Sequence, residues 1–234
     1  MERISLTRGE AWQIRRAVER FVHERNLFEI LAKNLFDQLA ENETLRRYIS
    51  FIKFRVKDPD HLRHKLRRKA IQAKRDGQTP VTTADNLFTQ ISDLAGVRIL
   101  HLHTNQMQHI NPIILSIFDE LRYRLVEGPR AICWDVEFEE FFRQLGIETE
   151  SRNSMYTSVH YVVEPNRETQ MRAELQVRTL TDEVWAEVSH KVNYPEESPS
   201  QSCQEQLRVL ARFTTGCTRL VDSIFQAHAE TLEG

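Results

Sequence analysis

The chain has no glycine-rich phosphate loop. It holds 7 glycines in 234 residues, and neither Gly-x-x-x-x-Gly-Lys-Ser/Thr nor a kinase-type glycine loop occurs, which excludes a P-loop NTPase and a protein kinase. Cysteine is scarce as well. Cys133, Cys203 and Cys217 are odd in number, widely spaced and without a Cys-x-x-Cys pair, so no disulfide framework or thiolate metal site is expected, and a reducing cytoplasm is the expected location. No run approaches the roughly 20 apolar residues of a spanning helix, and no apolar signal segment opens the chain, so a soluble protein without a membrane partner is expected. Charge of one sign is missing too: 32 Lys+Arg against 34 Asp+Glu leave a formal −2, which argues against a generic nucleic-acid binder and makes any basic surface a local one. No internal repeat or low-complexity tract is present. The length suits one α/β domain with helical extensions.

What is there centres on Ser92-Asp93-Leu94-Ala95-Gly96-Val97-Arg98-Ile99-Leu100. Val97, Ile99 and Leu100 read as a buried strand, Gly96 as a tight turn just before it, and Asp93 as a carboxylate at the strand's mouth, where it can hold a metal. Far downstream, Met171 to Val177 alternates strictly. Met171, Ala173, Leu175 and Val177 share one face, and Arg172, Glu174, Gln176 and Arg178 the other. A strand with one wholly polar face lines something polar, and pairing it beside the first strand puts Asp93 and Glu174 in one cleft.

The cations cluster beside this pair. Residues 48–57 have period two, so Lys53, Arg55 and Lys57 aim one way, and Asp58-Pro59 starts a helix with Asp58 as N-cap. That helix, to about Arg75, puts Leu62, Leu66 and Ala73 on its core side and His61, Lys65 and Arg68 together on another face. A strand and a helix with basic faces in succession predict a polyanion cradle. Elsewhere the periodicity predicts helices over about 7–40, with a break near Asn26, and over 85–91, 105–121, 134–142, 179–192 and 204 onward; strands are predicted over 97–102, 122–126 and 155–163. The last helix carries Leu207, Leu210, Phe213, Leu220, Ile224 and Phe225 as its apolar stripe. On the 155–163 strand Tyr156, Ser158 and His160 share a face. His101 and His103 lack a third ligand at metal-like spacing and read as structural. Carboxylates for a metal, cations for phosphates and an aromatic for a base are what phosphoryl transfer needs from a protein.

The order Arg55-Val-Lys57 with Lys65, Asp93-Leu-Ala-Gly96-Val-Arg98, Tyr156-Thr-Ser158-Val-His160, Glu174-Leu-Gln176-Val-Arg178-Thr179 and Trp185-Ala-Glu-Val-Ser-His190-Lys191 resembles the synthetase domain of the RelA/SpoT family, the alarmone (ppGpp) synthetases of the stringent response. The resemblance covers about residues 48–194. It implies a nucleotidyltransferase-like mixed β-sheet flanked by helices: an N-terminal helical segment at 1–46, the synthetase domain at 47–195 and a C-terminal helix at 196–234. It also implies an enzyme that transfers pyrophosphate from ATP to the 3′-hydroxyl of GDP or GTP and releases AMP, with Mg²⁺ as cofactor. Arg55 and Arg98 would sandwich the adenine, Lys57 and Lys65 would hold the ATP phosphates, and Asp93 would bind the metal. Glu174 would serve as metal ligand or general base, Tyr156 would stack on the acceptor base, and Ser158, His160, Gln176 and Arg178 would line the acceptor pocket. Met155 stands where the family usually has Gly before the stacking Tyr, and the acceptor stays open. Some small toxic members use the 3′-CCA end of tRNA, and a catalytically inactive nucleotide-binding module is a third reading. With no His-Asp dipeptide for a hydrolase domain, the expected enzyme synthesises without degrading. A toxin-like role follows from that, with an antitoxin or a homo-oligomer as candidate partners.

Overall fold

The computed structural model describes residues 5–80, 82–151, 155–165 and 170–233. The expected lead-in at 152–154 and position 81 of the 76–83 loop lie outside them. Thr7 caps α1 (Arg8–Glu41) in a capping box: its hydroxyl accepts from Glu10 N at 3.2 Å, and its own N–H donates to the Glu10 carboxylate at 2.7 Å. The helix runs unbroken through Asn26. That residue is exposed, and the few tenths of a kcal/mol by which Asn disfavours a helix are outweighed by the buried stripe of Phe21, Phe28, Leu31 and Leu35 around it. A short helix, α2 (Glu43–Arg46), follows and leads into β1 (Phe51–Val56). Asp58 then caps α3 (Pro59–Arg75), accepting from Asp60 N and His61 N at 2.9 and 3.1 Å. This helix buries Leu62, Leu66 and Ala70; Ala73 is only half-buried.

After α4 (Leu87–Gln90), a 3-10 turn at Ser92–Leu94 delivers the chain to β2 (Ala95–His101). The turn expected at Gly96 is made one step earlier, by this 3-10 segment, and Gly96 lies inside the strand. Then come α5 (Met107–Glu120), β3 (Arg124–Cys133), α6 (Val136–Gln144), β4 (Glu148–Ser151), β5 (Ser158–Glu164), β6 (Ala173–Thr179), α7 (Leu180–Asn193) and α8 (Gln201–Glu233). Among the described residues the strands form a six-stranded mixed sheet in the order β1-β2-β6-β5-β3-β4. The β2/β6 and β3/β4 pairs are parallel; β1/β2, β5/β6 and β3/β5 are antiparallel.

Register explains why one face is polar. Lys53 lies opposite Arg98, Arg98 opposite Gln176, Gln176 opposite His160, His160 opposite Arg130 and Arg130 opposite Glu148. The neighbouring same-face row reads Arg55, Gly96, Glu174, Val162, Glu127. Because side chains alternate with period two, Val97, Ile99, Leu175, Val177, Val159 and Tyr161 turn to the other face, where they join one core with α1 and α5. Tyr161 is fully buried and donates its hydroxyl to Asn111 Oδ1 at 2.8 Å.

Three expectations need correction. The strand expected over 122–126 continues to Cys133 as β3, after register shifts between Leu125 and Arg130. Gly128 sits in that irregular stretch at φ 89°, where a Cβ would stand 2.3 Å from the His160 carbonyl oxygen, so only glycine fits. The strand expected from Met155 starts at Ser158, and Glu148–Ser151 is a separate edge strand. On α8 the predicted stripe is largely exposed: Phe213 is 73 % and Leu220 61 % accessible. The helix docks through Leu207, Ala211 and buried Thr214, Thr215 and Thr218. Polar anchors complete the contact: Thr218 with Thr181, the Leu207 carbonyl accepting from Trp185 Nε1 at 2.9 Å, and Asp222 paired with His103 at 2.9 Å.

Candidate active site

The first carboxylate is held in the middle of the 3-10 turn, just before β2. Asp93 Oδ2 accepts from Lys57 Nζ at 2.6 Å, and Oδ1 lies 2.9 Å from Lys65 Nζ. Lys57 arrives from the end of β1, where its N–H bonds the Leu94 carbonyl at 2.9 Å, and Lys65 from two turns inside α3. Burial works to raise the Asp93 carboxyl, but the charges of Lys65 and Lys57 outweigh it and hold the group down at about 2. Lys57 is lowered, chiefly by burial, with Asp93 opposing.

The second carboxylate sits beside it on β6. Glu174 Oε1 is 3.0 Å from His160 Nδ1 on β5, and Oε2 accepts from Gln176 Nε2 at 2.8 Å. Both oxygens are therefore aimed by same-face neighbours, Gln176 two residues along β6 and His160 diagonally across on β5. Burial raises Glu174, the hydrogen bond and charge of His160 reverse this, and the net shift is downward; the charge of Asp93 is close enough to push it up. His160 Nε2 in turn lies 3.4 Å from the Tyr156 hydroxyl. A cavity of about 170 Å³ opens beside this chain of groups, lined by Ser92, Glu127, Arg130, Glu150, His160 and Glu174.

The third group is a guanidinium cluster. Arg98 donates Nη1 to Glu183 at 2.8 Å and to Glu187 at 3.1 Å, and shares Gln176 Oε1 through Nε and Nη2 at 3.3 and 3.2 Å. Arg178 lies below, 2 % exposed, with Nε 2.9 Å from the other oxygen of Glu183 and its guanidinium carbon 5.2 Å from the Tyr156 ring centroid. Between Arg55 and Arg98 only about 30 Å³ stays open, roughly one water's share of the liquid. Arg55 is exposed, with no ion pair or hydrogen bond of its side chain among the described residues, and lines that space from the solvent side. A larger cavity of about 500 Å³ between α1, α3 and the 76–83 segment is lined by none of these groups.

Residues 54–199 match the family profile described as the region found in RelA / SpoT proteins, more than half of the chain. The chain belongs to the RelA/SpoT family. A curated relative, the GTP pyrophosphokinase YwaC of Bacillus subtilis (strain 168), is 27 % identical over 151 residues, which is 62 % of this chain and 59 % of that protein's length. Among solved structures, small alarmone synthetase 1 from Bacillus subtilis superposes with a TM-score of 0.61 at 21 % identity, over 92 % of this chain and all of that one. The same synthetase bound to its product pppGpp gives 0.60 at 21 % identity, over 88 % and 96 %. These structures share the fold.

The RelA/SpoT motifs converge on one sheet face, though not every predicted residue stands open to a ligand. Asp93 with Lys57 and Lys65 forms one cluster and Glu174 with His160, Gln176 and Arg98 another, coupled through the charges of Asp93 and Lys65 on Glu174, with exposed Arg55 at the rim. Ser158 is buried and donates to the Val177 carbonyl at 3.2 Å, so its hydroxyl is committed to holding β5 on β6. Arg178 is buried, with its guanidinium against the Tyr156 ring. The partners of Arg98 that sequence reasoning missed are Glu183 and Glu187, which also meet Lys53 Nζ of the basic strand face, at 2.8 and 3.8 Å. The available signal was the i, i+4 spacing of the two glutamates on a helix leaving the polar strand. Of the other cations on α3, Arg63 is paired with Asp60 and Lys74 with Glu10, while Arg67, Arg68 and Arg75 line an open groove of about 740 Å³ and make no ion pair among the described residues. Among the described residues no helix is long and apolar enough to cross a membrane.

Proposed function

We propose that this chain is an ATP:nucleotide 3′-pyrophosphokinase that transfers the β,γ-pyrophosphate of ATP to the 3′-hydroxyl of GDP or GTP, with AMP as the leaving product. The observation that carries this reading is Glu174: a carboxylate oriented through both oxygens, one strand away from a second carboxylate that is itself gripped by two lysines. Lys57 and Lys65 exchange Asp93 for ATP phosphate oxygens, and the flat Arg98 guanidinium, fixed by three acceptors, offers a face to the adenine with Arg55 closing from the rim. Tyr156, backed by Arg178, offers its outer face to the acceptor base. Glu174 then takes the proton of the acceptor 3′-hydroxyl as that oxygen bonds to the β-phosphorus. The bond from the β-phosphorus to the α,β-bridging oxygen breaks, and AMP departs with that oxygen.

The family resemblance implies Mg²⁺, and the donor set fits it. Mg²⁺ takes one or two carboxylates and fills its remaining positions with waters and substrate phosphates. Asp93 Oδ1 is buried and held only by the Lys65 ammonium at 2.9 Å, close enough to Glu174 for the two charges to interact, while no group of three His, Cys, Asp or Glu comes together among the described residues. Asp93 and Glu174 would hold the ion, which supplies charge neutralisation for the phosphates when bound.

A second acceptor reading, the 3′ end of tRNA, is favoured by the unpaired Arg67, Arg68 and Arg75, which offer backbone phosphates a groove beside the site; Glu196 and Glu197 on its far wall weigh against it. The test is transfer of label from γ-labelled ATP with Mg²⁺ to GDP, GTP or tRNA, with Glu174→Gln as control. A drain on ATP and GTP also predicts growth arrest on expression of the wild type and none with that variant.

A further inference from the structure

Glu183 is where the two halves of the network meet. Its Oε1 receives Lys53 Nζ and Arg98 Nη1, each at 2.8 Å, and its Oε2 lies 2.9 Å from Arg178 Nε. Gln176 Oε1 repeats the pattern, accepting from Arg98 and from Arg178 Nη2 at 3.3 Å. Arg178 Nη1 has no hydrogen-bond partner, and the one carboxylate in ion-pair contact with this buried guanidinium, Glu183, is shared with two other cations, while the charge of Asp182 acts on it without such a contact. Arg98 differs in having a second anchor, Glu187, at 3.1 Å and half-exposed.

We propose that Glu183 is a positioning residue that couples the donor site to the acceptor site, with Glu187 as the other resting point of Arg98. This rests on the reading above, in which ATP engages Arg98 and the acceptor stacks on Tyr156. Stacking on adenine draws the Arg98 guanidinium out of the sheet and toward Glu187. Glu183 then turns its charge to Arg178, whose guanidinium lies under the Tyr156 ring, and the acceptor platform firms up. Occupancy of the donor site thus tightens the acceptor, and the effect is reciprocal because it is a difference in binding free energy. Arg98 Nη1 bridges both glutamates in this arrangement, at 2.8 and 3.1 Å, and the balance between these two contacts is the element that ATP would bias.

The test is the affinity of GDP, by calorimetry with Mg²⁺ present, in the absence and presence of a saturating ATP analogue with a non-cleavable α,β bridge. For the wild type the analogue should tighten GDP by about fivefold or more. In Glu183→Gln that ratio should fall to about one, with GDP alone also weakened. Removing the charge beneath Tyr156 threatens the fold of that variant, so Glu187→Gln, at the exposed anchor, keeps the test decisive. It should bind GDP alone as the wild type does, yet lose the tightening. A glutamate with a merely structural role would lower the fraction of active protein and leave the ratio alone. A ratio preserved in Glu187→Gln, or a wild-type ratio of one in protein that binds both nucleotides and makes product, overturns the coupling and leaves the transferase reading intact. Wild-type protein that binds neither nucleotide removes that reading and the coupling with it.

Discussion

Replacing Asp93 by Asn removes one negative charge from between two ammonium groups 2.6 and 2.9 Å away. The carboxyl is held at about 2 against an ordinary 3.8, and at about 1.36 kcal/mol per pH unit that difference is roughly 2.5 kcal/mol. With the Asp93 side chain 14 % exposed, solvent screening leaves most of it in place, so Asp93→Asn should cost about 2–3 kcal/mol of folding stability in denaturant melts at pH 7. The sign sets a pH window as well. A depressed folded value stabilises above the unfolded value, so this contribution is complete above about pH 4 and is lost as pH falls through 3.8 toward 2; the Asn variant should lack that part of the acid limb. Lys57 and Lys65, freed of their partner, remain available to phosphate. ATP affinity by calorimetry should therefore hold or rise while pyrophosphate transfer falls by about a hundredfold or more, a loss of at least roughly 2.7 kcal/mol of transition-state stabilisation. Turnover near that of the wild type, or ATP affinity lost in step with turnover, would refute the assignment of Asp93 to the chemistry.

Arg98→Lys keeps the charge but loses the plane and two of its donors. The KM for ATP should rise about tenfold, with about 1–3 kcal/mol of stability lost as Gln176, Glu183 and Glu187 lose their shared donor; a Lys variant with unchanged KM would take Arg98 out of the donor site. Tyr156→Ala should weaken the acceptor by about 1–3 kcal/mol and leave ATP nearly unchanged, whereas Tyr156→Phe should keep the stack and lose only the contact with His160; equal losses in both variants would show that the hydroxyl, not the ring, matters. Gly128→Ala places a Cβ 2.3 Å from the His160 carbonyl at φ 89°, which should cost about 1–3 kcal/mol in thermal melts and lower transfer by displacing the strand that aims His160. A neutral outcome would mean that the sheet edge shifts freely there.

The polar sheet face was legible because β6 alternates without a single exception and β1, across β2 from it, alternates from Ile52 to Lys57, and the Asp58-Pro59 start is a local signal that needs no tertiary context. Burial within that face was not legible. Ser158 has the right parity, yet its hydroxyl is committed to the Val177 carbonyl by pairing with β6. Arg178 reads as exposed in an alternating strand, but α7 and Tyr156 close over it. The i, i+4 spacing puts Glu183 and Glu187 on one face of α7, but their partners follow from where α7 crosses the strand ends, which spacing within the helix cannot specify. The same limit applies to α8, where a conventional apolar stripe lost to a threonine surface with side-chain hydrogen bonds of its own. In β3, Gly128-Pro129 carries the composition of a turn, and only the pairing with β5 reveals that the strand continues past it.

The central claim is that this face moves a pyrophosphate group from ATP to a 3′-hydroxyl, with Glu174 taking the proton. The most direct measurement offers γ-labelled ATP and Mg²⁺ to the wild type and to Glu174→Gln, with GDP, GTP and tRNA present together, and follows both the label and the nucleotide by-product. The account predicts label on GDP or GTP, one AMP released per label transferred, and a variant that still binds ATP but transfers at least about a hundredfold more slowly. Label on tRNA alone would contradict the choice of acceptor. Release of ADP in place of AMP, or transfer that persists in the variant, would contradict the claim itself.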